Sequence, residues 1–173
     1  MTNSFYKAFE DRFRGSKQEI RQRLEVYLPF LEALRPFHRK FMVLDLGCGR
    51  GEWLQLLKEL KFEAIGIDLD QNMVSDCESH GLKVRCEHAI KALKSYKSNS
   101  LSLVTGFHIA EHMSFEELRQ VVGEAYRVIK EGGLLIMETP NPENISVGAT
   151  NFHLDPTHQN PLPPKLLSFL TEY

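Results

Sequence analysis

Two periods of apolar residues run along this chain. Near the start, Phe5, Phe9 and Phe13 recur at four-residue steps on one helical face, with Arg12 and Arg14 beside the stripe. Ser16 followed by Glu19 makes a capping box that opens a helix running to Tyr27 and Leu28, and Pro36 closes the helical part. From position 41 onward short apolar runs alternate with amphipathic stretches. Strands are expected over Phe41–Leu46, Phe62–Asp68, Leu82–Cys86, Ser100–Gly106 and the run LLIMET after Gly132-Gly133. Helices are expected over Glu52–Leu60 and Asn72–Ser79, and from Ser114, whose capping partner is Glu117, to Lys130. Strand and helix in alternation predict an α/β fold, a doubly wound and mostly parallel sheet with ligand at the carboxyl ends of its strands. Residues 1–40 read as a helical lid or cap and 41–173 as the sheet domain, with a Pro-rich loop and a short helix at the end.

Bulk properties narrow the class. The chain has 173 residues, 21 Lys and Arg against 23 Asp and Glu, and a formal net charge of −2. That suits one globular domain and gives no global pull toward nucleic acid. No apolar run is long enough to cross a bilayer, and the charged opening FYKAFEDRF is no secretory leader, which predicts a cytoplasmic protein. The three cysteines, Cys48, Cys77 and Cys86, make no CxxC pair and read as reduced structural thiols.

The chemistry concentrates in LDLGCGRGEW, Leu44 to Trp53, where a strand ends in a glycine-rich turn that opens into a helix. Gly47, Gly49 and Gly51 permit positive φ and close approach of backbone to a nucleotide-like ligand. Asp68, at the end of the next strand, lies at the offset at which a carboxylate accepts hydrogen bonds from ribose hydroxyls. A dinucleotide fingerprint would need glycine at position 52, where Glu52 stands; an acid there opposes a pyrophosphate. S-adenosylmethionine, a sulfonium and ammonium compound without phosphate, tolerates acids at Asp45 and Glu52. A tight turn with glycines needed only for packing is the plainer alternative, and it leaves Asp68 unexplained.

The run Asp45 to Gly51, D-x-G-x-G-x-G, resembles motif I of the class I S-adenosylmethionine-dependent methyltransferases, whose fold is Rossmann-like. The resemblance implies S-adenosyl-L-methionine as cofactor, S-adenosyl-L-homocysteine as product, and a cofactor site built from Asp45, Gly47, Cys48, Gly49, Trp53 and Asp68. It places adenine against Leu69, Ala89 and Ile90, with His88 where the family carries an acid, and the methionine end near Phe107 and His108. Class I enzymes close the sheet with a further antiparallel pair, and the chain stops where that pair should begin, as a piece of a longer protein would. FYKAFEDRFRGS, ETPNPEN and DPTHQNPLPP resemble bacterial O-antigen chain-terminating and polysaccharide-biosynthesis methyltransferases, a group commonly joined to glycosyltransferase or coiled-coil regions. That implies methylation of a sugar hydroxyl or terminal phosphate of a surface-glycan precursor, at the inner membrane through partners.

Acceptor chemistry follows from residue types. A sugar hydroxyl needs a general base, and histidine suits neutral pH. His108 and His112 beside the cofactor and His153 and His158 in FHLDPTH are the candidate bases, His108 and His158 foremost with Glu111 beside them; His153, Asp155 and His158 lie on the acceptor side, Asp155 fixing an imidazole tautomer. A phosphate acceptor would instead call on Arg12 and Arg14. His108-x-x-Glu111-His112, read on one helical face, also admits a zinc-like divalent metal with His153 or His158 as further ligands, although none is assigned. The rival functions are a small-metabolite O-methyltransferase, a cofactor-binding scaffold module and, against the acid at position 52, an NAD-dependent oxidoreductase.

Overall fold

The computed structural model describes residues 12–173. Phe5 and Phe9 of the aromatic stripe lie outside these residues. The described elements are α1 (Lys17–Leu24), α2 (Leu28–Leu34), β1 (Met42–Leu46), α3 (Glu52–Glu59), β2 (Glu63–Asp68), α4 (Gln71–Ser79), β3 (Val84–Cys86), α5 (Ala89–Ser95), β4 (Leu101–Phe107), α6 (Phe115–Val128), β5 (Ile129–Glu138), α7 (Ile145–Ala149) and α8 (Pro164–Glu172). One five-stranded sheet has the order β3-β2-β1-β4-β5, and every pairing is parallel. The chain therefore starts at the centre, moves outward through β2 and β3, and crosses back to β4. The crevice at the carboxyl ends of β1 and β4 is the switch point of a doubly wound sheet.

Alternation along the central strands supplies both faces of the core. Leu44 of β1 and Val104 of β4 pack with Ala92 and Leu93 of α5 and with Val121, Ala125 and Val128 of α6. Val43 and Leu103 point the other way, onto Trp53, Leu56 and Leu57 of α3. Leu24 of α1 and Leu31 of α2 join that second cluster, so the N-terminal helices share the core of the sheet domain. Both expected capping boxes form: Ser16 with Glu19 before α1, and Ser114 with Glu117 before α6.

The differences from the expected elements have local causes. The first helix stops at Leu24, and a 3₁₀ turn over Glu25–Tyr27 leads into α2, which carries Pro29 in its first turn. A helix not expected from the pattern, α5, follows β3, started by the His88 side chain accepting from the Ile90 N–H. The strand β5 begins at Ile129, well before LLIMET. Its two glycines form an irregularity, with Gly132 at φ +74 and a Cβ on Gly133 only 2.7 Å from the Ser102 carbonyl of β4.

Candidate functional site

The glycine turn after β1 is shaped by its neighbours. Gly47, Gly49 and Gly51 have φ of +66, +51 and +77. A Cβ on Gly51 would stand 2.6 Å from Leu82 Cδ1, and one on Gly47 would stand 2.8 Å from Ile109 Cδ1, so the turn is pressed between the β3 approach and the loop after β4. Asp68, at the tip of β2, accepts from the Gly49 N–H at 2.8 Å through one carboxylate oxygen and from the Asp70 N–H at 2.9 Å through the other. Its carboxylate is thus locked to the turn with lone pairs remaining for a ligand.

Asp45 is 2% exposed beneath this turn and accepts from the Thr105 hydroxyl at 2.7 Å. Burial pushes its carboxyl up to about 7, against the opposing pull of the Thr105 bond. Glu52, at the start of α3, is paired at 3.3 Å with Arg14. Arg14 therefore sits across the glycine turn, on the side of the motif; the expected role of Arg14 on the acceptor has to be reconciled with that pairing. Arg12 lies 5.7 Å over the Phe13 ring on the surface and does not line the cavity.

A cavity of about 970 Å³ opens at the switch point, bounded by Asp45, Gly47, Gly49 and Trp53 at one end and by His112, Asp155 and His158 at the other. Cys48, Asp68, Leu69, His88, Ala89 and Phe107 line it as well. Ile90 does not; it turns into the core beside α6. His153 is exposed and stands off the cavity, against the edge of Phe152. Trp53 is 2% exposed, packs edge-on against Phe107 at 5.4 Å, and its indole N–H finds no hydrogen-bond partner among the described residues.

The loop after β4 departs most from expectation. His108 adopts φ +54, a conformation rare outside glycine, and Ala110–His112 is a single 3₁₀ turn, so His108, Glu111 and His112 do not form one helical face. His108 instead bridges two carboxylates, Nδ1 at 3.2 Å from Glu111 and Nε2 at 3.2 Å from Glu138. Glu111 foremost, then Glu138, raise its pKa to about 9. A carboxylate on each nitrogen favours the imidazolium form of His108, a poor base, against the expectation that it takes the acceptor proton. Burial alone would raise Glu111, but the His108 bond and a 2.9 Å bond from the Thr139 hydroxyl hold it below its ordinary value. Glu138 is lowered chiefly by His108 and also accepts from the Tyr27 hydroxyl, a tie between the N-terminal segment and the tip of β5.

A second layer docks on that turn from the C-terminal segment. The Gln159 N–H donates to the Glu111 carbonyl at 2.8 Å and its side-chain amide to the His112 carbonyl at 2.7 Å. The His158 Nδ1 donates to the Phe152 carbonyl at 2.6 Å. That carbonyl, and not Asp155 as expected, holds the Nδ1 hydrogen, and the His158 Nε2 faces Glu111 at 4.0 Å and Asp155 at 3.9 Å. Glu138, Thr139, Thr157 and Tyr27 escaped the sequence reading. An acid at the tip of β5 carries the same signal as Asp68 at the tip of β2, so Glu138 could have been found.

A parallel sheet of order 3-2-1-4-5 with a glycine cradle at its switch point and a carboxylate at the next strand tip is a Rossmann-like nucleotide-binding arrangement, the one that class I methyltransferases use. The methyltransferase domain family matches residues 44–137, more than half of the chain, which belongs to that family. An S-adenosylmethionine-dependent methyltransferase of Archaeoglobus fulgidus, known as a crystal structure, is 38% identical with a TM-score of 0.88, over 98% of this chain and 73% of that one. A probable S-adenosylmethionine-dependent methyltransferase of Mycolicibacterium smegmatis is 30% identical over 130 residues, 75% of this chain and 49% of its own length. The ubiquinone biosynthesis O-methyltransferase of Methylococcus capsulatus is 27% identical over 129 residues, 66% of this chain and 54% of its own. This chain spans about half the length of these two curated relatives. The cofactor of the family is S-adenosylmethionine, and the residues present fit it: the turn leaves no room for Cβ atoms at Gly47 and Gly51, Asp68 is aimed at the cradle, and the Trp53 indole N–H is unpartnered at the cavity wall.

Proposed function

We propose that this domain transfers the methyl group of S-adenosylmethionine to an oxygen of a surface-glycan precursor, a sugar hydroxyl or a terminal phosphate. The observation that carries the oxygen-acceptor reading is the polar end of the cavity, where the Nε2 lone pair of His158 stands beside Glu111 and Asp155. When bound, the cofactor supplies an electrophilic methyl on a sulfonium. Asp68 and the backbone of Gly47 and Gly49 hold its nucleoside portion, Leu69 and Ala89 cover the base, and Trp53 and Phe107 exclude water.

On the acceptor side, His108 supplies fixed positive charge between Glu111 and Glu138 and orients the acceptor, while the proton of a hydroxyl acceptor leaves to the lone pair of His158. A phosphate oxygen is already anionic and needs orientation only. Oxygen as the acceptor is supported by the relative named for ubiquinone biosynthesis O-methylation and by the resemblance of ETPNPEN and DPTHQNPLPP to the glycan-modifying group.

His158→Ala is expected to keep the affinity for S-adenosylhomocysteine and to lower methyl transfer by about 10²–10⁴-fold, the range of a lost general base. Calorimetry with the product and transfer of labelled methyl to a lipid-linked glycan fraction measure the two quantities. Full transfer by the variant would remove His158 from the acceptor chemistry.

A further inference from the structure

A second property of the polar end concerns two imidazoles whose tautomers are fixed by their surroundings. A carbonyl can only accept, so the 2.6 Å contact with Phe152 places the His158 hydrogen on Nδ1. His112 reaches the same condition by a relay: the Thr157 hydroxyl gives its hydrogen to Asp155 at 2.5 Å, so its oxygen accepts from the His112 Nδ1 at 3.0 Å. In the neutral rings, then, it is Nε2 of each histidine that carries the lone pair. His112 and His158 stand with ring centroids 4.8 Å apart, and ligating atoms of Glu111, His112 and His158 all lie within 4.8 Å of one another.

We propose that Glu111, His112 and His158 bind a divalent first-row cation of the zinc kind, in a site open toward the cavity. Two imidazole nitrogens and one carboxylate form a donor set for such a cation, and three protein ligands leave a coordination position for an oxygen of the acceptor. Magnesium and calcium, which favour all-oxygen shells, suit the set poorly. Tetrahedral bonds of about 2.1 Å place ligand atoms about 3.4 Å apart, so the three close by about an ångström on the cation. Each histidine already carries the hydrogen bond from its other nitrogen that orients a metal-binding imidazole: a carbonyl on His158 and the Thr157–Asp155 pair on His112. His108 itself is no ligand: its two nitrogens are committed to Glu111 and Glu138, and it shares the Glu111 Oε1 that faces His158.

The inference rests on the methyl-transfer reading and deepens it. A cation held there would acidify an acceptor hydroxyl, and in that case the methyl-transfer reading stands but its base changes: His158 would act as ligand and the proton would go to solvent.

The test is titration of the full 173-residue chain with Co²⁺, read by the visible absorption of the bound ion and by displacement with Zn²⁺. One ion per chain is expected, with affinity falling at least tenfold in His112→Ala and in His158→Ala, and unchanged in His80→Ala, an exposed histidine that caps the C-terminal end of α4. Titration of the same samples with S-adenosylhomocysteine shows that each variant is folded. Normal product binding without Co²⁺ absorption, or equal Co²⁺ affinity in wild type and both active-end variants, overturns the cation site. Co²⁺ binding without product binding supports the cation site and counts against the methyl-transfer reading.

Discussion

Asp68 and Asp45 show how two carboxylates at neighbouring strand ends come to differ. Asp68 accepts two backbone N–H bonds, one of them from the glycine turn it supports. Asp68→Ala is therefore expected to weaken S-adenosylhomocysteine binding by about 1–3 kcal/mol, the scale of lost hydrogen bonds to a charged group. Unchanged affinity in calorimetry would remove Asp68 from the ribose. Asp45 is sealed beneath the turn, and its carboxyl titrates near 7 where the ordinary value is 3.8. A folded carboxyl with a raised pKa keeps a proton that the unfolded chain has released, so its contribution to stability falls as pH rises between those values, by at most about 4 kcal/mol. Asp45→Asn is expected to melt at a higher temperature than wild type at pH ~8 and to lose that advantage near pH ~4. Parallel melting curves for the two proteins across that range would contradict the burial argument. Both acids were visible in the sequence as members of one pattern. The burial that separates them depends on Thr105, sixty positions away on β4, which no local pattern connects to Asp45.

At the scale of elements, the amphipathic period and the capping boxes made the helices legible. Ser114 and Glu117 satisfy each other's backbone donors at the start of α6, and that helix buries Leu118, Val121, Ala125 and Val128. Ser114→Ala is expected to cost about 1 kcal/mol of stability in urea unfolding, with cofactor affinity unchanged. No loss would mean that packing of α6 alone sets its first turn. The element that escaped, α5, is only seven residues long and draws its stability from Ala89, Ala92 and Leu93 packed in the core and from the His88 cap, a tertiary cause. The same limit governs the loop after β4. Its i, i+3, i+4 spacing suggested a helical face, whereas His108 is held left-handed between two carboxylates, one of them at the tip of β5. Spacing misread the backbone where the chain left regular structure and read it correctly at the glycine turn, where the conformation itself demands the residue type.

The whole molecule joins these parts at the switch point between β1 and β4. One end of the cavity is a cradle of backbone, Asp68 and apolar cover, laid out by consecutive strand tips and so readable along the chain. The other end is assembled from Tyr27, Glu111, Glu138, Asp155 and His158, residues brought together only by folding. Arg14 lies against the cradle and the helices α1 and α2 against the same apolar face, so the described part of the N-terminal segment shares both cavity wall and core with the sheet. The Arg14 pair also changes the meaning of Glu52, whose charge was set against a pyrophosphate: the acid stays at the helix start, but it is partnered there. Selection of S-adenosylmethionine over a dinucleotide is the central claim of this arrangement, and direct binding tests it. Calorimetric titration of the protein with S-adenosylmethionine, S-adenosylhomocysteine and NADH is expected to give micromolar binding of the first two and no heat from the third. Binding of NADH with no response to S-adenosylhomocysteine would contradict the account.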